Sequence, residues 1–251
     1  MLAVMAALAA MPAMRASVVF NWPNSGWTAG QPTSGQTKTQ SFTSISSNDI
    51  TVSIYNSGVN NQGGYPAINS TNTTSGLSGV NALQLYISST PTFGNLLRVT
   101  VSFGYAVTNV SFSLWDCDAA AGQFIDKFAN IQATAFGGGT VGLSSATSEV
   151  AGYNSITGTG LSTVILGTAG ATNTTNEGTV DLAFNQPITS FSFEWSNNDA
   201  GRGAQAVGLG PITYTVVPES SPAYFGVASC AGAVLCEAVR RKKARGKNRK
   251  P

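Results

Sequence analysis

The sequence predicts an all-β fold, a single antiparallel β-sandwich of the jelly-roll-like type. Gly, Ser, Thr and Asn dominate the composition and only 10% of the residues are charged, a mixture that is poor in helix formers and rich in turn formers. The chain is nevertheless 42% hydrophobic, which is enough to bury a core. Apolar and polar residues alternate along much of the chain, whereas no stretch keeps a helical period.

Six segments alternate most clearly, with apolar residues on one face and polar or charged residues on the other, as half-buried strands require. These segments are residues 50–55, 82–87, 97–103, 110–114, 180–184 and 188–193. Clusters of Gly, Asn, Ser and Thr lie between them and predict loops. We therefore expect roughly ten to twelve strands in one domain over residues 17–216.

The first 16 residues form an apolar run of Ala, Leu, Val and Met, which predicts a secretory signal peptide. No Lys or Arg precedes the run, and Met14 occupies the −3 position relative to the expected cleavage after Ala16, where a small residue is usual. We hypothesise that the true start lies upstream of Met1 and supplies the missing basic segment.

Charge and residue usage exclude several classes of function. Residues 17–216 carry four bases against nine acids, a net charge of −5, which argues against nucleic acid as a partner. The chain has no His, so His-dependent hydrolases and His-ligated metal sites are excluded. The sequence therefore predicts a protein that is not an enzyme.

The C-terminal residues 217–251 form a separate segment with three parts in a fixed order. Val217, Pro218 and Glu219 come first, then the apolar run 223–239, then the basic end 240–250. As a helix the 17 residues of the run would extend about 25 Å, slightly less than the ~30 Å hydrocarbon core of a bilayer. We expect one transmembrane helix, with the basic end in the cytoplasm and the body outside.

This order resembles the PEP-CTERM sorting signal of exported bacterial proteins. The resemblance implies that exosortase, a membrane-embedded cysteine protease, recognises Pro218 and Glu219, and that residues 223–239 hold the chain in the membrane. The sequence differs from the family pattern, Pro-Glu-Pro, because Ser220 follows Glu219 and the next proline is Pro222. The alternative is a membrane anchor that no sorting enzyme processes.

Three carboxylates are the main candidates for a site in the body. Asp116 and Asp118 flank Cys117 at the end of an alternating segment, and Asp126 follows a short loop. An Asp-x-Asp pair places both carboxylates on one side of the chain, and Asp126 can close on them; oxygen ligands of this kind suit Ca²⁺. The alternatives are solvated loop acids, an Asp116 that caps a turn, and paired glycosidase carboxylates that would also draw on Glu149 or Glu194.

Trp115 and Trp195 lie just after two of the alternating segments, 110–114 and 188–193. Exposed indoles at the rim of a sandwich stack on sugars, so the two residues are candidates for glycan binding; the alternative is that they belong to the core. The predicted function is an exported, non-catalytic protein of the cell surface or extracellular matrix. A carbohydrate-binding module, with polysaccharide as its partner, and a glycoside-active enzyme are the alternatives.

Overall fold

The computed structural model describes residues 16–70, 75–77, 79–90 and 92–218. Its described part is nearly all β, with sixteen strands that pair only antiparallel and one short 3-10 helix, Gly160–Ser162. The strands are β1 (Val18–Phe20), β2 (Thr37–Phe42), β3 (Ile50–Asn56), β4 (Asn60–Asn61), β5 (Ala67–Asn69), β6 (Ala82–Ser89), β7 (Leu96–Trp115), β8 (Ala119–Ala120), β9 (Phe124–Ala135), β10 (Thr140–Gly142), β11 (Ser145–Ser148), β12 (Asn154–Thr157), β13 (Val164–Gly167), β14 (Val180–Phe184), β15 (Ile188–Asn197) and β16 (Gln205–Val216). Described residues as far as Val217 belong to one compact unit.

The 20-residue strand β7 joins the two halves of the body. Its first half, residues 97–103, pairs with β3 on one edge and β15 on the other. Its second half, residues 107–115, pairs mainly with β14 and β16. The strand order is β12-β13-β9-β15-β7-β16-β6-β4, and the other strands attach along this path. One continuous strand therefore belongs to both halves of a sandwich-like body.

Asn109 lets β7 keep its apolar residues on the core side along its whole length. Buried positions are odd-numbered as far as Val107 and even-numbered from Val110 until the last residue of the strand, which is also buried. Between Thr108 and Ser111 the strand gains one residue relative to β16, and within this interval Asn109 has a left-handed φ of 51°. This one-residue bulge resets the alternation, and Asn tolerates the left-handed region better than most residues do.

A second bulge in β9 follows the same rule. Asn130 has a φ of 49°, and β9 gains one residue relative to β15 between Ala129 and Gln132. The buried residues change from even-numbered positions such as Phe128 to odd-numbered ones such as Ile131. Both bulges thus use a left-handed asparagine to keep a long strand facing the core.

Aromatic side chains from the two halves meet in the core. The rings of Phe112, in the second half of β7, and Phe191, in β15, stack with centroids 4.4 Å apart. Phe184 and Phe103 lie beside Phe191 with centroid distances of 6.1 and 6.2 Å. Such contacts bury a large apolar area, so this cluster holds the two halves of the sheet together.

The structure confirms the all-β prediction and refines its elements. Segment 180–184 matches β14, and segments 50–55, 82–87 and 188–193 match β3, β6 and β15 apart from their ends. Segments 97–103 and 110–114, predicted as two strands, form the single strand β7 because the bulge at Asn109 interrupts the alternation without ending the pairing.

Predictions about the termini concern other parts of the chain. The expected transmembrane helix 223–239, the basic end 240–250, Glu219 and all of the expected signal peptide except Ala16 lie outside the described residues. Within the described ranges, no helix has the length and apolar character needed to cross a membrane.

The bulge in β7 gives a testable prediction. Replacing Asn109 with Ala should lower the free energy of unfolding by about 1–2 kcal/mol, because a side chain without a local hydrogen-bonding group is unfavourable at this φ. Asn109→Gly should change it by less than about 0.5 kcal/mol, since Gly adopts this region freely. Equilibrium urea unfolding measures both variants, and an equal loss in the two would contradict this account.

Candidate functional site

The candidate site lies where β7 ends. Trp115 is the last residue of the strand and packs against the backbone of Gly210 in β16, where a Cβ atom would come within 2.8 Å of the indole. The next residue, Asp116, has a left-handed φ of 62°. Asp is one of the few residues with a side chain that adopts this region, so the chain turns sharply here and leaves the sheet.

The turn directs the two acids of the Asp-x-Asp pair to one side, as expected from the sequence. Asp116 and Asp118 both line a common cavity, while Cys117 between them is buried in the core. The Cys117 N–H donates to the Gly178 carbonyl oxygen at 2.9 Å, and its own carbonyl oxygen accepts from Asn154 Nδ2 at 2.6 Å. Both acids are buried, so the alternative of solvated loop acids is wrong.

Glycines allow two other segments to approach this turn closely. A Cβ atom on Gly178 would lie 2.8 Å from the Cys117 nitrogen. One on Gly167, the last residue of β13, would overlap the Asp118 carbonyl oxygen. Because larger side chains would push these segments apart, the two glycines are required for the backbone arrangement that fixes Asp116 and Asp118.

Asp126 has a structural role beside the cavity. Its carboxylate is 0% exposed; Oδ1 accepts from Trp195 Nε1 at 2.7 Å and Oδ2 accepts from the Asp118 N–H at 3.2 Å. The Asp126 N–H in turn donates to the Asp118 carbonyl oxygen at 2.9 Å. Asp126 therefore connects β9, β15 and the loop that carries Asp118.

The calcium site predicted from Asp116, Asp118 and Asp126 is not formed in this arrangement. Both carboxylate oxygens of Asp126 are engaged by N–H donors, and Asp126 does not line the cavity with the other two acids. Across the described part of the chain, no group of three or more His, Cys, Asp or Glu side chains is placed to hold a metal ion.

The glycan-stacking roles predicted for Trp115 and Trp195 are also corrected. The side chains are 1% and 0% exposed respectively, so neither indole offers a face to a sugar. Trp115 packs against Gly210, and Trp195 donates its indole N–H to Asp126. The two residues therefore belong to the buried core, as the alternative in the sequence analysis stated.

The remaining acids proposed for glycoside chemistry are held by other side chains. Glu194 accepts from Arg98 Nε at 2.9 Å and from Asn130 Nδ2 at 2.6 Å. Glu149 accepts from Asn176 Nδ2 at 2.9 Å. Neither Glu lines the cavity that Asp116 and Asp118 share, so the structure does not bring the four acids into one cleft.

The cavity at the end of β7 has a volume of about 360 Å³. This volume lies at the lower end of the range of small-molecule sites, about 300–1,000 Å³, and is many times that of a water molecule. Tyr86 and Phe124 supply half-buried aromatic walls, while the exposed Asn173 lies on the loop between β13 and β14.

Gln205, the first residue of β16, also lines the cavity, and the sequence analysis did not identify it. It is 3% exposed, and neither its Nε2 nor its Oε1 has a hydrogen-bond partner among the described residues. The Oδ1 atom of Asp116, a residue that is 8% exposed, is likewise unpartnered. Leaving a buried polar group without a partner costs about 1–3 kcal/mol, so two such residues in one cavity are unusual in a native structure.

The cavity is acidic, because Asp116 and Asp118 line it and no Lys or Arg is among its described lining residues. Burial, and then the charge of Asp118, raises the pKa of Asp116 to about 8. Burial also raises the pKa of Asp118. Burial, and then the charge of Asp118, raises the pKa of Asp126. Burial raises the pKa of the Cys117 thiol as well, so Cys117 is not an activated nucleophile.

Comparison with known proteins gives no match: no family model, no curated protein and no solved structure is significantly similar to this chain. Only the residues of the chain itself therefore bear on its function.

The raised pKa of Asp116 gives a prediction about stability and pH. Because the folded-state pKa, about 8, exceeds the ordinary value of 3.8, the folded state binds the proton more tightly than the unfolded state does. The stabilisation is complete below about pH 4 and is lost as the pH rises through about 8. The melting temperature of the ligand-free protein should therefore fall between about pH 6 and about pH 9.

The melting temperature of the Asp116→Asn variant should fall less over this pH range than that of the parent protein, since Asn does not titrate. Asp118, Asp126 and Cys117, whose pKa values are also raised, account for the fall that remains. Asp181→Asn, at an exposed acid of β14, is the control and should follow the parent. Thermal melts at both pH values measure the difference, and a fall in Asp116→Asn as large as the parent's would refute the assignment.

Proposed function

We propose that this chain is an exported, non-catalytic protein of the bacterial cell surface or extracellular matrix, which exosortase sorts through the C-terminal tail. The observation that carries the proposal is the order of the tail: Val217, Pro218 and Glu219, then the apolar run 223–239 and the basic end 240–250. A Pro-Glu pair alone would carry little weight. The three parts together, in this order, are typical of a sorting tail of the PEP-CTERM type.

The end of the β body supports this proposal. Val216, the last residue of β16, still pairs with Val107 of β7. The Val217 N–H donates to the Ala106 carbonyl oxygen at 2.9 Å, and Pro218 is exposed. A protease that cuts at or after the motif would therefore release the body without removing a residue of its last strand. Before cleavage, the helix proposed for 223–239 would anchor the body in the inner membrane.

The composition of the body also fits a passive role outside the cell. Only four bases and nine acids occur in residues 17–216, and the chain has no His. Cys117, the one Cys among the described residues, is fully buried. The extensive antiparallel pairing supports the finer assignment of the body as a jelly-roll-like sandwich, and such a body suits a stable exported module that needs no disulfide.

Processing of the tail can be tested in a bacterium that contains exosortase. The full chain carries an epitope after Pro251, and the parent should lose that epitope while its body leaves the inner membrane. Pro218→Ala and Glu219→Ala should keep body and epitope together in the membrane fraction, because both remove parts of the recognition motif. Pro222→Ala, outside the motif, is the matched control and should behave as the parent does.

Immunoblots of fractionated cells and the mass of the released body give the outcome. Retention of the epitope by the parent, with and without exosortase, would show a plain membrane anchor and contradict sorting. Equal release of the motif variants would show that cleavage does not use Pro218 and Glu219.

A further inference from the structure

The cavity at the end of β7 points to a binding function that is separate from sorting. The buried surfaces of native proteins rarely leave polar atoms unpartnered. Three of the buried side-chain atoms that lack a hydrogen-bond partner among the described residues, Asp116 Oδ1 and both amide atoms of Gln205, belong to two residues that line the same cavity. They come from distant parts of the chain, since Asp116 follows β7 and Gln205 begins β16.

The charge of the cavity identifies part of the ligand. Asp116 and Asp118 contribute two carboxylates to the wall, and no Lys or Arg lies among the described residues that line it. In the described ranges the one ion pair is Arg98–Glu194, on other strands. A buried carboxylate is stable when it meets a cation that also donates hydrogen bonds. A ligand that carries an amine would meet this need.

The remaining lining residues favour a sugar over a simple amine or an inorganic cation. The Gln205 amide offers both a donor and an acceptor, which match a hydroxyl group because a hydroxyl does the same. Tyr86 and Phe124 present apolar walls to the C–H face of a ring. The volume of about 360 Å³ is suited to a small organic molecule.

We infer that this cavity binds one amine-bearing sugar residue, such as an unacetylated hexosamine, either free or within a polysaccharide. The sugar amine would contact Asp116 Oδ1, with Asp118 adding negative charge nearby, and a sugar hydroxyl would contact the Gln205 amide. The site differs from the Trp115 and Trp195 stacking surface expected from the sequence. It is also independent of the tail, so either proposal can fail without the other.

The test uses the purified full chain and three trisaccharides that differ only at one position of the ring: the β-1,4 trimer of glucosamine, its fully N-acetylated form, and cellotriose. Isothermal titration calorimetry at about pH 6, where the sugar amine is protonated, should detect the glucosamine trimer. Asp116 is protonated in the ligand-free protein at this pH, so contact with the charged amine should release its proton to the buffer. The other two should bind at least about tenfold more weakly, since they lack the charged amine. Equal affinity for cellotriose would overturn the role of the amine.

Variants separate this site from general attraction between an acidic protein and a basic sugar. Gln205→Met keeps the charge and the approximate volume, and it should weaken binding by about tenfold through loss of the amide contact. Asp116→Asn should weaken binding at least as much, and Asn suits the left-handed φ at this position. Asp181→Asn makes the same side-chain change at an exposed site and should leave the affinity unchanged.

Competition between free glucosamine and the trimer tests whether the site holds a single sugar residue. Free glucosamine should displace the trimer completely, because the cavity accommodates a single residue. Failure of free glucosamine to displace the trimer contradicts a one-residue site. The proposal is wrong if the parent chain does not bind the trimer, or if Gln205→Met binds it with unchanged affinity. If Asp116→Asn fails to fold, Gln205→Met still decides the test.

Discussion

The structure depends on the requirement that one strand, β7, keeps its apolar side chains facing the core through two halves of the sheet. A strand of 20 residues cannot satisfy this with strict alternation when its neighbours change from β3 to β16. Asn109 supplies the extra residue that restores the correct face. With the face restored, Phe112 stacks on Phe191 across the core, and the two halves share a single interior.

The same strand determines where the candidate site forms. The core ends at Trp115, which fills the space above Gly210, and the chain must then leave the sheet at once. The left-handed Asp116 makes that turn, and the close approach of Gly178 and Gly167 fixes the residues that follow. The consequence is electrostatic: acids that a flexible loop would leave in water are buried beside one another, with raised pKa values. Such perturbation in a concave region is characteristic of binding sites.

Much of the fold was predictable from periodicity, because burial on one face of a strand is a local property of the sequence. Segment 180–184 was predicted with the bounds of β14. The continuity of β7 was not predictable, since a bulge and a loop break the alternation in the same way and only the pairing with β16 distinguishes them.

The Asp-x-Asp pair was predicted on one side of the chain, whereas the exclusion of Asp126 depends on its contact with Trp195, a partner 69 residues away. Gln205 did leave a signal: it stands in phase with the buried Val207 and Leu209, and a polar residue at a core position calls for a reason. The proposed sorting tail, by contrast, was inferred from the order of its three parts and lies almost wholly outside the described residues.

In our proposals the tail determines the destination of the protein, and the cavity at the end of β7 binds its ligand. The basic residues of the tail account for the net positive charge of the chain, +2, whereas the body is acidic and several buried acids lie at the end of β7.

The central claim is that Asp116 and Gln205 lack partners because a ligand supplies their missing hydrogen bonds. A crystal structure of the protein grown with the glucosamine trimer tests this directly. The account predicts one sugar residue in the cavity, with its amine within hydrogen-bond distance of Asp116 Oδ1 and a hydroxyl on the Gln205 amide. A cavity filled only with ordered water, or Asp116 and Gln205 turned to bond with each other, would contradict it.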